Sequence, residues 1–290
     1  YPEAHNNLGN ALRMLGRRDE AVEAYQRALL AREHYPEAYN NLATVLRELQ
    51  QREGAEHAYR KAIELRPGYL EAYDNLALLL AGDKRPEDAL RVLGRALEID
   101  PRRVATLVIV ARVQIEKGNH AQAEQACRAA LAVDPQSVGA LTALGEICFD
   151  SDRFDEAMAA LSTALAKEPS AWEARNLYAN CLKAVGRMDE ARQAFEETLA
   201  QQPEAYGCYA NLADLIEFTP DDPHLAAMER ILAAAPSPED SRHTSVLFAI
   251  GKAYDDMGQY GKAMEHWRRG AALRRKELDY DEAETLGFFD

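Results

Sequence analysis

The chain has 290 residues, 47% of them hydrophobic, and carries 48 acidic against 34 basic side chains, for a formal net charge of -14. This surplus of negative charge repels phosphate backbones and anionic lipid headgroups, which argues against binding to nucleic acid or to a membrane surface. No uninterrupted apolar run approaches the roughly 18 residues that a membrane span requires. We therefore predict a soluble, cytoplasmic protein.

Two series of small residues recur along the chain with a period of 34 residues. The first series is Gly9, Ala43, Ala77, Ala111, Gly145, Ala179 and Ala213, and the second is Ala21, Ala55, Ala89, Ala123, Ala157 and Ala191. Large apolar residues flank both series at helical spacing, which predicts two helices per unit that approach closely at the small residues. A unit of this length cannot bury its own apolar face, so neighbouring units must stack into one continuous core.

Each unit also has recognisable helix boundaries. Gly16, Gly118 and Gly186 lie where the first helix should end, because glycine readily takes the left-handed conformation of a helix C-terminus. Acidic pairs such as Asp19 and Glu20 then begin the second helix, where they favour the positive end of the helix dipole. A proline ends the second helix in five units: Pro67, Pro101, Pro135, Pro169 and Pro203.

The seventh unit departs from this pattern. After Ala213 the chain reads FTPDDP over residues 218–223, and the next apolar residues, Leu225, Met228, Ile231 and Leu232, follow a different register. Pro236 and Pro238 predict a linker, and an eighth unit follows with its small residue, Gly251, four positions late. We predict repeats over 1–219, a degenerate helix and linker over 220–241, an eighth repeat over 242–276, and a capping segment or domain boundary over 277–290.

The 34-residue helix-turn-helix unit that ends in proline resembles the tetratricopeptide repeat (TPR). It occurs in registers that start near Pro2, Pro36, Leu70, Val104, Val138, Trp172 and Tyr206. The resemblance implies an all-α, right-handed superhelical solenoid of about eight repeats. Such a solenoid binds a protein or an extended peptide in its concave groove.

No pattern of catalytic or metal-binding residues is present in the sequence. The seven histidines are scattered along the chain, and the four cysteines have none of the paired spacing of a zinc site. Cys127 occupies the position of Tyr25 and Phe195 in other repeats, so we predict that it is a small core residue. We predict no enzyme activity, no metal and no cofactor for this chain.

In TPR stacks the first helix of each repeat lines the concave side, which places the candidate binding residues. They are Asn6, Asn7, Asn10, Asn40, Asn41, Asn75, Val108, Ile109, Arg112, Glu146, Asn176, Asn180 and Asn211. A carboxamide is both donor and acceptor, so asparagines in step could hold the backbone of an extended peptide. Asn7, Asn41 and Asn75 resemble the asparagine ladder of the O-linked N-acetylglucosamine transferases.

Two features of this face leave alternatives open, and a third argues against one class of ligand. The ladder is interrupted at Ile109, and asparagine at these positions also favours packing between helices. Val108 and Ile109 would either form an apolar pocket beside Arg112 and Glu146 or tighten the curvature of the stack. The carboxylate clamp of chaperone-binding TPR proteins needs lysine where this chain has Asn6, Asn40 and Asp74, which argues against that ligand class.

Two further functions are alternatives to a peptide scaffold. Residues 248–281 resemble the last repeat of bacterial proteins that join TPRs to a sulfotransferase domain, which would make this chain a substrate-recruiting region. The glycine-rich phosphosulfate loop of that family would lie beyond Asp290. Apolar ends at Tyr1 and Phe289 would alternatively allow self-association through the ends of the solenoid.

Overall fold

Helices make up all of the regular structure in the described part of the chain, and most of them form consecutive pairs. The structure is a computed structural model, and it describes residues 1–234, 237 and 240–277. The all-α prediction is confirmed, since these residues contain helices and no strand. The chain divides into two compact units, Tyr1–Ile147 and Cys148–Asp290.

The first unit is a stack of helix pairs. Its helices are α1 (Pro2–Met14), α2 (Arg18–Ala31), α3 (Pro36–Glu48), α4 (Arg52–Leu65), α5 (Leu70–Gly82), α6 (Pro86–Ile99), α7 (Val104–Glu116) and α8 (His120–Val133), and α9 (Val138–Asp150) includes the division point. The first helices pack on one another in the order α1, α3, α5, α7. Each second helix packs on its own first helix, and α2, α4 and α6 also pack on the first helix that follows. The first helices therefore form one continuous face.

The second unit begins with the same arrangement. Its helices are α10 (Phe154–Lys167), α11 (Trp172–Ala184), α12 (Met188–Gln201), α13 (Tyr206–Ala213), α14 (Pro223–Ala234), a 3₁₀ helix (Ser241–His243), α15 (Thr244–Asp256) and α16 (Tyr260–Glu277). α13 has only 8 residues, and α14 packs on α15. The predicted linker residues Pro236 and Pro238 and the segment 278–290 lie outside the described residues.

The small-residue series form the core, as predicted. All members of both series are buried. Cys127 is fully buried, like Tyr25 and Phe195 at the equivalent positions. The interior of each unit thus combines the small residues of both series with larger side chains such as Tyr25 or Phe195. The small residues let the helix axes approach closely.

The turn between the two helices repeats with the same backbone geometry. The predicted left-handed conformation is confirmed at Gly16, Gly118 and Gly186, with φ of 74°, 72° and 81°. The equivalent positions in other repeats hold non-glycine residues in the same conformation, namely Gln50, Lys84 and Asp152. The turn is closed by a backbone hydrogen bond such as Arg17 N to Leu12 O, at 2.9 Å. The position in the repeat, and not the residue type alone, determines this conformation.

Candidate functional site

The candidate surface is the face formed by the first helices of the first unit, which we call the A-helix face. It consists of the exposed and half-buried residues that lie three and two positions before, and one position after, each small residue of the first series on α1, α3, α5, α7 and α9. The predicted residues from Asn6 to Glu146 all lie at these three positions of the repeat, but two of them, Asn6 and Asn40, are buried there.

The residues three positions before the small residue lie inside the stack in the first three repeats. Asn6, Asn40 and Asp74 are 6%, 2% and 6% exposed. The Nδ2 of Asn41 donates to Oδ1 of Asn6 at 3.0 Å, and the Nδ2 of Asn75 donates to Oδ1 of Asn40 at 3.0 Å. Asn6 and Asn40 therefore link consecutive repeats, and we leave them out of the binding surface.

In the third repeat the buried acceptor is the carboxylate of Asp74, and it receives its hydrogen bonds from residues other than asparagine. An asparagine 35 residues after Asp74 would continue the series, but that residue is Ile109. Instead Thr106 Oγ1 donates to Oδ1 of Asp74 at 2.7 Å, and Arg103 donates to Oδ2 through Nε and Nη2 at 3.1 Å and 3.0 Å. The change from amide to carboxylate at Asp74 thus coincides with the end of the asparagine ladder.

The outer asparagines remain accessible. Asn7 is exposed, and Asn41 and Asn75 are half-buried. Because one N–H of Asn41 is committed to Asn6, the amide has a defined orientation, and its Oδ1 and its second N–H remain for another partner. The same holds for Asn75.

A tyrosine of the second helix orients the residue that follows the small position. The hydroxyl of Tyr25 donates to Oδ1 of Asn10 at 2.7 Å, and Thr44 Oγ1 lies 3.1 Å from the hydroxyl of Tyr59. Burial raises the pKa of both Tyr25 and Tyr59, so these hydroxyls stay protonated at neutral pH. Asn10 therefore has its acceptor oxygen engaged and its amide N–H groups left as donors.

The fourth repeat combines apolar residues with a charge. Val108 lies against α9, where a Cβ added at Gly139 would be 3.1 Å from its Cγ1. Ile109 packs on the core cluster that includes Leu76 and Leu80. Both side chains are only half-buried. Arg112 is exposed and has no carboxylate partner within the part of the chain that the structure describes, whereas the half-buried Glu146 takes part in an interaction within the chain.

The predicted residues of the second unit form a separate group. Asn176, Asn180 and Asn211 are all half-buried. The Sγ of Cys208 donates to Oδ1 of Asn176 at 3.0 Å, so Cys208 has the role that Thr106 has for Asp74. The side chains of Asn180 and Asn211 make no hydrogen bond among residues 1–234, 237 and 240–277.

The cysteine thiols of the described residues belong to the packed interior. The four cysteines are all described and buried, and none of them is in a disulfide. Burial raises the pKa of Cys181 to about 11 and of Cys208 to about 12, which keeps both thiols protonated. The described residues hold no group of three His, Cys, Asp or Glu arranged for a metal ion. Among the helices described, none combines the length and the apolar character needed to cross a membrane.

One group of polar residues was missed by the sequence analysis. Tyr209, Arg230 and His243 line a cavity in the second unit beside the irregular seventh repeat. The only sequence signal was the loss of register after Ala213, and it does not indicate which side chains meet there.

Comparison with protein families identifies the repeat directly. Four family models, each described as tetratricopeptide repeat, match residues 2–67, residues 40–104, the overlapping ranges 80–145, 114–181 and 149–215, and residues 244–277. Together they cover residues 2–215 and most of the predicted eighth unit. No curated protein matches the sequence.

Solved structures agree with this family. A thermophilic TPR protein of Thermus thermophilus is 28% identical with a TM-score of 0.54, over 63% of this chain and 100% of its own. The pilF protein of Pseudomonas aeruginosa is 18% identical with a TM-score of 0.59, over 70% of this chain and 92% of its own. A monomeric mutant of IFIT1 with Gppp-AAAA is 17% identical with a TM-score of 0.65, over 94% of this chain and 72% of its own.

The last two similarities show the fold alone at such low identity. The matches to the family models, the 34-residue period and the paired helices all describe the same repeat. The chain belongs to the tetratricopeptide repeat family.

Proposed function

We propose that this chain is a non-catalytic scaffold that binds an extended peptide of a partner protein along the A-helix face of the first unit. The observation that carries the proposal is the pair of outer amides, Asn41 and Asn75. They lie one repeat apart, half-exposed, and each is anchored to a buried asparagine of the preceding repeat.

The anchoring makes these amides suited to a peptide backbone. With one N–H bound to Asn6, the Asn41 amide can accept from a peptide N–H through Oδ1 and donate to a peptide carbonyl through its second N–H. Because the amide is already oriented, little side-chain entropy is lost on binding. Such contacts recognise main chain and therefore tolerate varied sequences.

Selectivity would come from the fourth repeat. The half-buried Val108 and Ile109 offer apolar contact, and Arg112 offers a positive charge that no described carboxylate neutralises. A peptide with an apolar residue followed or preceded by an acidic one fits this combination.

The decisive experiment compares two ways of breaking the same hydrogen bond. Asn41→Ala removes the exposed amide, whereas Asn6→Ala removes its buried anchor and leaves the exposed amide in place. For a peptide selected on the wild type from a display library, we expect the Asn41→Ala, Asn75→Ala double variant to bind at least about tenfold more weakly, a loss of about 1.4 kcal/mol. Asn6→Ala should retain most of the affinity.

A second measurement tests backbone recognition itself. N-methylation of single amides in the selected peptide should abolish binding at the positions held by Asn41 and Asn75, since a methylated amide cannot donate. Equal affinity of the wild type and the double variant, with both proteins folded, would remove the case for this surface.

Self-association is a second candidate function, and one observation favours it. Leu8 on α1 is 47% exposed, whereas Leu42, its equivalent on α3, is 9% exposed. Leu15 and Leu30 are exposed as well, and such exposed leucines on α1 and α2 are apolar surface that a second copy of the chain would cover. If light scattering shows a monomer across a concentration series, self-association is excluded.

The sulfotransferase alternative rests on the sequence resemblance of residues 248–281 alone. The family model that matches residues 244–277 is a tetratricopeptide repeat.

A further inference from the structure

The second unit contains an open cavity of about 530 Å³ between α13, α14 and the 3₁₀ helix. Its walls combine the apolar side chains of Pro203, Ala227 and Ile231 with uncharged and charged polar side chains, namely Tyr209, His243, Arg230, Arg242 and Glu204. Cavities of this volume accommodate small organic ligands or one or two residues of a peptide.

The cavity exists because the seventh repeat lacks a closed helix pair. The pairs α11–α12 and α15–α16 pack along their length, whereas α13 and α14 hardly approach one another. The irregular segment 214–222 separates them, and α14 packs on α15 instead. The space that a normal second helix would fill beside α13 therefore stays open.

Two buried polar side chains in the wall lack a hydrogen-bond partner within the described part of the chain. His243 is 4% exposed and Tyr209 is 3% exposed, and neither the imidazole nor the phenol hydroxyl makes a hydrogen bond among the described residues. Buried polar groups in proteins are nearly always hydrogen-bonded. The fully sealed polar atoms without a partner belong to other residues, so those of Tyr209 and His243 stay accessible to a molecule in the cavity.

The environment fixes what these groups can offer. Burial raises the pKa of Tyr209, so its hydroxyl remains a hydrogen-bond donor at neutral pH. The ring of Tyr206 lies 5.2 Å from the ring of His243, centroid to centroid, and holds the imidazole in place.

Positive charge in the wall comes from Arg230. Its Nε donates to the backbone oxygen of Ala226 at 3.3 Å, and its guanidinium has no carboxylate partner in the described ranges. The other arginine of the wall, Arg242, is already paired with Asp240, whose pKa it lowers to about 2. The carboxylate of the wall, Glu204, lies near Arg242 as well and helps Asp240 to raise the pKa of that guanidinium. Arg230 is thus available to bind a carboxylate through two parallel hydrogen bonds.

We propose that this cavity binds the carboxylate of a molecule with an apolar body, either a small organic acid or the C-terminal residue of a peptide. Arg230 pairs with the carboxylate, Tyr209 donates a hydrogen bond to it, and the imidazole of His243 binds a further polar atom of the ligand. Ile231, Ala227 and Pro203 contact the apolar part. The cavity belongs to the second unit and shares no residue with the A-helix face.

Calorimetric titration with N-acetylphenylalanine and with its amide tests the charge requirement. We expect the acid to bind and the amide to bind at least about tenfold more weakly, because a charge-assisted pair with Arg230 is lost. Arg230→Met keeps the apolar stem and should weaken the acid to the level of the amide. Tyr209→Phe removes only the hydroxyl and should weaken the acid severalfold, whereas Arg268→Met, at an exposed position on α16, should bind like the wild type.

Two peptides that end in phenylalanine, one with a free C-terminus and one amidated, separate the sources of the carboxylate. Preference for the free-ended peptide over N-acetylphenylalanine supports a peptide C-terminus, and the reverse supports a small acid. Absence of binding by every acid, equal binding of acid and amide, or unchanged binding by a folded Arg230→Met variant would overturn the proposal. None of these results bears on Asn41 and Asn75, so failure here is distinguishable from failure of the A-helix face.

Discussion

The indole of Trp267 lies directly over Gly251. A Cβ added at residue 251 would be 2.2 Å from Cδ1 and 2.3 Å from Nε1 of the indole, which itself donates to the backbone oxygen of Phe248 at 3.3 Å. The eighth repeat therefore depends on a glycine at the position where most other repeats have alanine, because its second helix contributes the largest side chain.

Gly251→Ala should destabilise the eighth repeat by about 1–3 kcal/mol, because the indole must move out of a packed interior. Gly9→Ala should cost less, although a Cβ there would be 2.5 Å from the ring of Tyr25. The second repeat shows that alanine is compatible with a tyrosine here, since it has Ala43 and the fully buried Tyr59 at the equivalent positions.

Hydrogen exchange of the α15 and α16 amides measures the Gly251→Ala effect locally, which suits a repeat protein that need not unfold in one step. Gly94→Ala is the control, because a Cβ at this position of α6 meets open space and should stabilise the helix by about 0.5–1 kcal/mol. Unchanged exchange in Gly251→Ala would contradict the packing argument.

The buried carboxylate of Asp74 should make the first unit sensitive to Thr106. Thr106→Val keeps the shape of the side chain but removes the donor to Oδ1 of Asp74, so we expect a loss of about 1–3 kcal/mol in chemical denaturation. Thr142→Val is the matched control, because this half-buried threonine makes no side-chain hydrogen bond among the described residues. Equal effects of the two substitutions would show that Arg103 alone satisfies the carboxylate.

Alkaline pH should destabilise the second unit in part through Cys208. Burial raises the pKa of this thiol from 9.0 to about 12, so between these pH values the unfolded chain releases a proton that the folded chain retains. Stability is therefore unaffected by this group below about pH 9 and falls as the pH rises toward 12, by at most about 1.4 kcal/mol per pH unit.

Urea unfolding at about pH 8 and about pH 10 measures this dependence. Cys208→Ala should show a smaller loss of stability over that interval than the wild type. Asn176→Ala is the control, since it breaks the same Sγ to Oδ1 hydrogen bond but leaves the thiol in place, and it should keep the full pH dependence. Identical pH dependence in Cys208→Ala and the wild type would refute the assignment.

Much of the fold could be predicted from single positions. In each case one residue type meets one local requirement. Ala21 allows two helices to approach closely, Cys127 supplies core volume, and Gly16 takes the positive φ of the turn. The candidate surface was harder to predict, because Asn6 and Asn7 are adjacent and chemically identical. Only the packing of α3 on α1 makes one a buried anchor and leaves the other exposed.

The amino-acid order by itself determined the repeat, the helix pairs of the regular units, their ends and the members of the core, because a strict period of 34 residues gives each regular unit the same two helices and the same small residues. Only the tertiary structure decided how polar atoms are shared between repeats, as when Asn41 donates to Asn6 but Thr106 and Arg103 serve Asp74. It also decided that α13 and α14 separate around Tyr209, Arg230 and His243. Hydrogen bonds and cavities depend on distances between helices, and those distances are set by packing that no local pattern specifies.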